Sequence, residues 1–494
     1  LTGGNKVTIK SANHSMNENK HVFTYDVTRT VNLDLSRQWL TVQQGELVLE
    51  NITFKGNAAP VVEVQNGSVT ITNVTFDSGN ISVAKLTGGS LTADNVKIQN
   101  LNPQGNLFEV KNANLTIKNS TIENVKATNI VSAASKATVE VSNTTISGSQ
   151  GDTKTIFNLG SDGEGNKTEA TLTDVTIEGN EVKDATIKAV GSSTTLNIKG
   201  SSITGNTAAN GGALYVEDAK VNFAATSTNI EVKLTGNTAA KGGAIYLASG
   251  SLTIPNYVTL SGNTATSNGG GIFVAGGTLI LKTNLEQNKA ANGGGLYISG
   301  GEVTSQSDIQ ISNNTASENG GGIYLTESGK LTFGGNVTIS DNTATSNGGG
   351  LCISNLSGYT DAPLVLGSNV TLSKNTATNG GGLYVSGAAV TIDGATISDN
   401  NATNGGGAYM KDATFTLQSG SISGSNNEKE GEALRGYNGG GVYIESGTFT
   451  MNGGAISGNK SNFGGGVYVA KDGTFTMTGG NISSNVATDK GGGV

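Results

Sequence analysis

Apolar and polar residues alternate along this chain in short bursts, and each burst ends near a Gly or an Asn. Leu252-Thr253-Ile254, Val258-Thr259-Leu260 and Ile272-Phe273-Val274 are three such bursts within one stretch. Alternation with period two reads as strand, and segments this short are not helices. Gly and Asn at the junctions supply left-handed backbone where tight corners need it. Each stretch therefore predicts one three-stranded turn of a coil, with Leu252/Ile254, Val258/Leu260 and Ile272/Val274 facing inward.

The bursts recur as a phrase: an aliphatic residue, two small or polar residues, Asn, a Thr/Ala-rich stretch, then two or three glycines before aliphatic-Tyr-aliphatic. It runs from Ile203 to Val216 and again from Ile456 to Val469. The Asn positions 206, 237, 263, 288, 314, 342, 375 and 400 lie 25 to 33 residues apart, and Asn459 and Asn485 continue the series. A period of about 25 residues held through so many copies marks a repeat protein. One triangular turn is a single layer and buries nothing by itself. Stacked turns pair every strand in parallel with its copies above and below, so aliphatic columns become a continuous core. The fold expected is all-β: a single-stranded parallel β-helix with three short strands per rung.

At one corner of every rung, Asn206, Asn237, Asn263, Asn288, Asn314, Asn342, Asn375, Asn400, Asn459 and Asn485 have a structural use. Each amide can donate to one neighbouring copy and accept from the other, which predicts a stacked amide ladder.

Three regions follow. Residues 201–494 carry the regular rungs and end inside a repeat, which predicts an unfinished C-terminal edge and end-to-end self-association. Residues 41–200 carry divergent rungs: Leu47 to Phe54, Val69 to Phe76 and Leu91 to Ile98 align at spacings of 22 without the glycine triplet. Residues 1–40 hold both histidines, His14 and His21, together with Asp34, Arg37 and the single Trp39. They read as an irregular first rung or cap covering the open core. Two His without a third ligand make no metal site.

Composition removes several function classes. The net charge of −8 includes only three arginines, Arg29, Arg37 and Arg435, so no basic stripe for nucleic acid is present. Cys352 is the single cysteine, which excludes a disulfide framework within the chain. No apolar run is long enough to span a bilayer as a helix. The glycine triplets are followed by hydrophobic residues, so they match neither a phosphate loop nor a calcium-binding nonapeptide repeat. No cofactor is expected.

The column after the glycines is the sharpest candidate for function. Tyr215, Tyr246, Phe273, Tyr297, Tyr324, Tyr384, Tyr409, Tyr443 and Tyr468 each sit between aliphatic residues, with Cys352 in the same place in one copy. Alternation sends these rings outward. The stripe could pack on sugar rings or a protein partner, or it could be a self-stacking ladder that stabilises one face. Outward Thr pairs flank Phe at Thr414/Thr416, Thr448/Thr450 and Thr474/Thr476, which is ordinary strand chemistry. The clearest break in the repeat is the insertion from Ser425 to Asn438, with Glu428, Lys429, Glu430, Glu432, Arg435 and Tyr437. Those groups suit either a solvated loop or the acid/base site of a carbohydrate-active enzyme. Asp162, Glu164 and Asn166 lack the spacing of a calcium loop.

Gly211-Gly212-Ala213-Leu214 and Gly242-Gly243-Ala244-Ile245, with Phe54-Lys55-Gly56-Asn57, resemble the paired signature of chlamydial polymorphic outer-membrane proteins and of adhesin-like β-helix surface proteins. Most copies carry Ile or Leu where that family has Phe, and Gly-Gly-Gly replaces Gly-Gly-Ala from Gly269 onward. The resemblance implies a right-handed β-helix passenger used for adhesion, and right-handed crossover is also the usual hand of parallel connections. The sequence reading is a non-enzymatic stalk or adhesin on a bacterial or archaeal surface, facing a cell-surface protein or glycan. A carbohydrate-active lyase or hydrolase and a filament subunit are the alternatives.

Overall fold

The computed structural model describes residues 6–10, 23–24, 40–56, 60–160, 166–227, 231–356, 364–427 and 437–494. Among these residues every regular element is a β-strand. The chain divides into two compact units, Leu1–Asn237 and Thr238–Val494.

In the first unit, Glu46–Glu50, Ser68–Thr72, Ser90–Asp94, Asn114–Lys118, Thr138–Ser142, Thr168–Thr173, Thr194–Lys199 and Lys220–Ala224 form one parallel sheet. Each strand pairs without a bulge, so Leu47, Val69, Leu91, Leu115 and Val139 make one inward column, and Leu49, Ile71, Ala93, Ile117 and Val141 a second. Two further strands complete each rung, for instance Lys97–Leu101 and Phe108–Lys111 after Ser90–Asp94. That is the three-stranded coil expected from the alternation. Lys6–Lys10 pairs in parallel with Glu46–Glu50 in the same register. His14, His21, Asp34, Arg37 and Trp39, expected in an irregular first rung or cap, lie outside the described residues.

The second unit contains the three expected strands and a fourth. Between Val258–Ser261 and Ile272–Val274 the chain adds Thr264–Asn268, which pairs with Thr238–Lys241 before it and Lys289–Asn292 after it. The inward residue of this short strand is Ala: Ala265, Ala290, Ala316, Ala344, Ala377 and Ala402 are all buried. Ala fits because two corners crowd the core there. The other inward columns are the aliphatics of the sequence pattern, and Leu252, Ile254, Leu260, Ile272 and Val274 are buried.

Candidate functional site

Register builds the aromatic column. In the second unit Tyr246, Phe273, Tyr297, Tyr324, Cys352, Tyr384, Tyr409, Tyr443 and Tyr468 are successive pairing partners. Parallel strands lie about 4.8 Å apart, close to the spacing at which aromatic rings meet face to face. Tyr246 and Phe273 stack with centroids 5.0 Å apart, Phe273 and Tyr297 at 5.0 Å, and Tyr297 and Tyr324 at 5.1 Å. After Cys352 the stack resumes from Tyr384 through Tyr409 and Tyr443 to Tyr468, at 5.2, 4.8 and 5.1 Å. In the first unit, Tyr215 holds the same place in its strand, with the Lys188 ammonium 5.4 Å from its ring centroid and its hydroxyl donating to Glu217 at 2.9 Å.

The glycines before each aromatic shape the strand's entry. Gly320 has φ +64, a left-handed corner, while a Cβ on Gly349 would stand 2.5 Å from the Thr376 carbonyl oxygen. The middle glycine is therefore a packing requirement of the adjacent rung.

Stacking changes what this column offers. An inner ring of a run has both faces covered by its neighbours, and Phe273 is 4% and Tyr409 7% exposed although alternation had placed both outward. The other tyrosines are half-buried. Within the stacked runs the faces between successive rings are closed, which leaves ring edges as the part of the column open to solvent. Burial also resists ionisation: the Tyr297 phenol is pushed up to about 12, and those of Tyr324, Tyr384 and Tyr443 are raised for the same first reason. Cys352 is buried, and burial pushes its thiol far above the ordinary range, so it is not a nucleophile.

Charged groups border the stack, as the Lys241 ammonium does 5.4 Å from the Phe273 ring centroid. The Tyr409 hydroxyl and the Lys411 ammonium, the latter at 2.9 Å, both donate to the Glu445 carboxylate. Burial and the hydrogen bond to Glu445 raise Tyr409, and the same carboxylate raises Lys411. Burial acts to raise Glu445, yet the two donors leave it lowered overall. Tyr409 is thereby held as the neutral phenol, Lys411 as the cation and Glu445 as the anion, which fixes a hydrogen-bonded charge pair rather than poising a proton transfer.

Three polar ladders flank the rungs. In the buried one, the Asn206 backbone N–H and Nδ2 both donate to Asn237 Oδ1, at 3.0 and 3.1 Å. In the second unit Asn263, Asn288, Asn314, Asn342, Asn375 and Asn400 repeat this arrangement with no exposed surface. The second proton of each Nδ2 goes back to a rung carbonyl, as from Asn314 to Leu285 at 2.9 Å. Ser425 interrupts the series, its N–H donating to Asn459 Oδ1, and Asn459 then donates to Asn485. Asn180 is also a member, donating to Asn206 Oδ1 at 2.9 Å. It precedes the glycine-rich copies, and its signal was the Gly179-Asn180 pair that matches Gly205-Asn206.

The second ladder had not been anticipated. Asn268, Asn292, Asn319, Asn347, Asn379, Asn404 and Asn438 stand directly before their glycine triplets and link side chain to side chain, at 2.7 Å from Asn347 to Asn319. The third belongs to the first unit and is exposed: Asn73 donates to Asn51 at 3.2 Å and Asn95 to Asn73 at 2.7 Å.

Thr414, Thr448 and Thr474 align in one column and Thr416, Thr450 and Thr476 in another, over inward Phe415 and Phe449. Of the insertion, Glu428, Lys429, Glu430, Glu432 and Arg435 lie outside the described residues, as do Asp162 and Glu164. Among the described residues no three metal-ligating side chains gather, and no helix is long and apolar enough to cross a membrane.

A family model of right-handed β-helix regions matches residues 60–239 and 191–365. No curated protein and no solved structure matches the chain.

Proposed function

The chain belongs to the right-handed β-helix family, and from that premise we propose that it is a non-enzymatic extracellular scaffold whose stacked tyrosines present a hydroxyl edge to a cell-surface protein or glycan. The observation that carries this reading is the stack itself. It repeats one amphipathic group at strand spacing on every rung from Tyr384 to Tyr468, with the faces between successive rings closed. Such an edge combines apolar contact with hydrogen bonding in register, as interface tyrosines do.

Replacing Tyr297, Tyr324 and Tyr384 together with Ser should abolish binding to cells or immobilised glycans while far-UV circular dichroism retains its β signal. Unchanged binding would remove the stack as the contact surface. The enzymatic alternative is separated by assay: lyase or hydrolase turnover lost in Glu430→Gln or Glu432→Gln would replace this reading.

A further inference from the structure

The rungs of the second unit are not equally long between their first two strands. Register aligns Ile254, Leu281, Ser305 and Phe333 in one column, and Leu260, Leu285, Ile311 and Ile339 in another. Six positions lead from the first column to the second in three of these rungs, but only four lead from Leu281 to Leu285. Two residues are thus missing from one turn while its neighbours keep theirs, and the surface sinks there.

The sunken rung is held by its own polar groups. Thr283 is pulled into a buried place, its hydroxyl donating to the Val258 carbonyl at 2.6 Å. Asn284 Oδ1 accepts the Gln310 backbone N–H at 2.9 Å, and its Nδ2 donates to Glu286 Oε1 at 3.0 Å. The result is a recess of about 170 Å³ lined by Asn256, Thr259, Ser261, Thr283, Asn284 and Glu286 among others. Thr283, Asn284 and Glu286 are held by these bonds before any ligand arrives, and preorganised polar groups in a concavity are what specific recognition needs.

We propose that this recess binds a single neutral hexose unit. The volume is below that of a drug-sized pocket and suits one sugar ring. Glu286 Oε1 is engaged by Asn284, which leaves Oε2 to accept from sugar hydroxyls; two neighbouring hydroxyls on one carboxylate make the strong, charge-assisted arrangement. Ser261 adds a hydroxyl and Asn256 an amide that can donate and accept. The carboxylate disfavours uronic, sialylated or phosphorylated sugars. One carboxylate is too few for a calcium site, which takes six to eight oxygens. The inference narrows the glycan half of the proposed function, yet it rests on residues outside the tyrosine stack.

The test uses the full chain and a panel of methyl hexopyranosides of gluco, galacto and manno configuration, read by saturation-transfer NMR. At least one should bind, with affinity falling tenfold or more in Glu286→Gln and in the recess-filling Ser261→Leu. It should bind unchanged in Asp472→Asn, which removes a carboxylate from Val467–Met477, a strand that does not line the recess. Absence of transfer from every hexoside, undiminished binding in both recess variants, or a response to calcium chloride alone would overturn the proposal. Loss in the Tyr297, Tyr324 and Tyr384 to Ser variant with retention in the recess variants would locate sugar binding at the stack instead.

Discussion

The two units solve one problem, turning a corner every few residues, with opposite placements of the same side chain. In the first unit Asn itself adopts the left-handed conformation, with φ of 56° at Asn51, 53° at Asn73 and 54° at Asn95, and its amide ladder lies in solvent. From Asn180 at the end of the first unit and through the second, the residue before Asn takes that conformation, as at Gly205, Gln287, Asp341 and Lys374, and the Asn points into the interior. An exposed ladder exchanges water bonds for protein bonds and gains little. A buried one must be complete, because each unpaired amide atom carries its full desolvation cost. The regular sequence of the second unit follows from this. A buried ladder admits few substitutes, whereas the first unit replaces its corner residue with Asp174 and Gly200.

The largest contrast should come from cutting each ladder once. Asn314→Ala strands the Asn288 backbone N–H and Nδ2 donors and takes a donor from the Leu285 carbonyl, while Asn342 Oδ1 keeps only the backbone N–H of residue 314. It should cost about 3 to 5 kcal/mol, since each buried unpaired group costs about 1–3 kcal/mol. Asn95→Ala in the exposed ladder should cost about 1 kcal/mol, mostly for the left-handed backbone. Amide hydrogen exchange around each site measures both locally, which suits a repeat protein whose unfolding need not be two-state. Equal costs would mean that the buried ladder confers no special stability.

Alkaline pH should distinguish the units next. The Tyr297 phenol is raised to about 12 in the folded chain, against about 10 in an unfolded one. The folded state therefore binds the proton more tightly. This contribution is complete below pH 10 and is lost as pH rises towards 12. Phenolate absorbance should lag the ordinary tyrosine titration and then rise together with loss of the β signal. A titration centred at the ordinary value would contradict the stacked, half-buried rings.

How much of this was legible in the sequence depends on what each residue needed from its neighbours. Alternation gave the inward columns correctly because burial in a strand is local; Leu252, Ile254, Leu260 and Ile272 are all in the core. The repeated Asn announced its ladder because period and polarity coincided. The fourth strand was missed because Thr264-Ala265-Thr266 carries only an Ala inward, too small to register as an apolar burst. The second Asn ladder was hidden beside the glycines, which drew attention to backbone. The covering of ring faces was not readable either. Alternation specifies the side of a strand, but exposure of Phe273 and Tyr409 depends on rungs 24 to 34 residues away in sequence.

A small effect sharpens the same contrast. Lys374 has φ 56° immediately before Asn375, a conformation a long side chain adopts at a cost. Lys374→Gly should raise stability by up to about 1 kcal/mol as the strain is relieved, seen as slower exchange of neighbouring amides. Destabilisation would show that the Lys side chain contributes contacts beyond its backbone.

The most direct measurement separates stacking from presentation. Changing Tyr297, Tyr324 and Tyr384 together to Phe keeps every ring in register and deletes only the hydroxyl edge. The full-length variant should match the wild-type melting temperature and lose most of its binding to cells or immobilised glycans. Wild-type binding by the Phe variant would show that the stacked tyrosines hold the rungs together without presenting their hydroxyls to a partner.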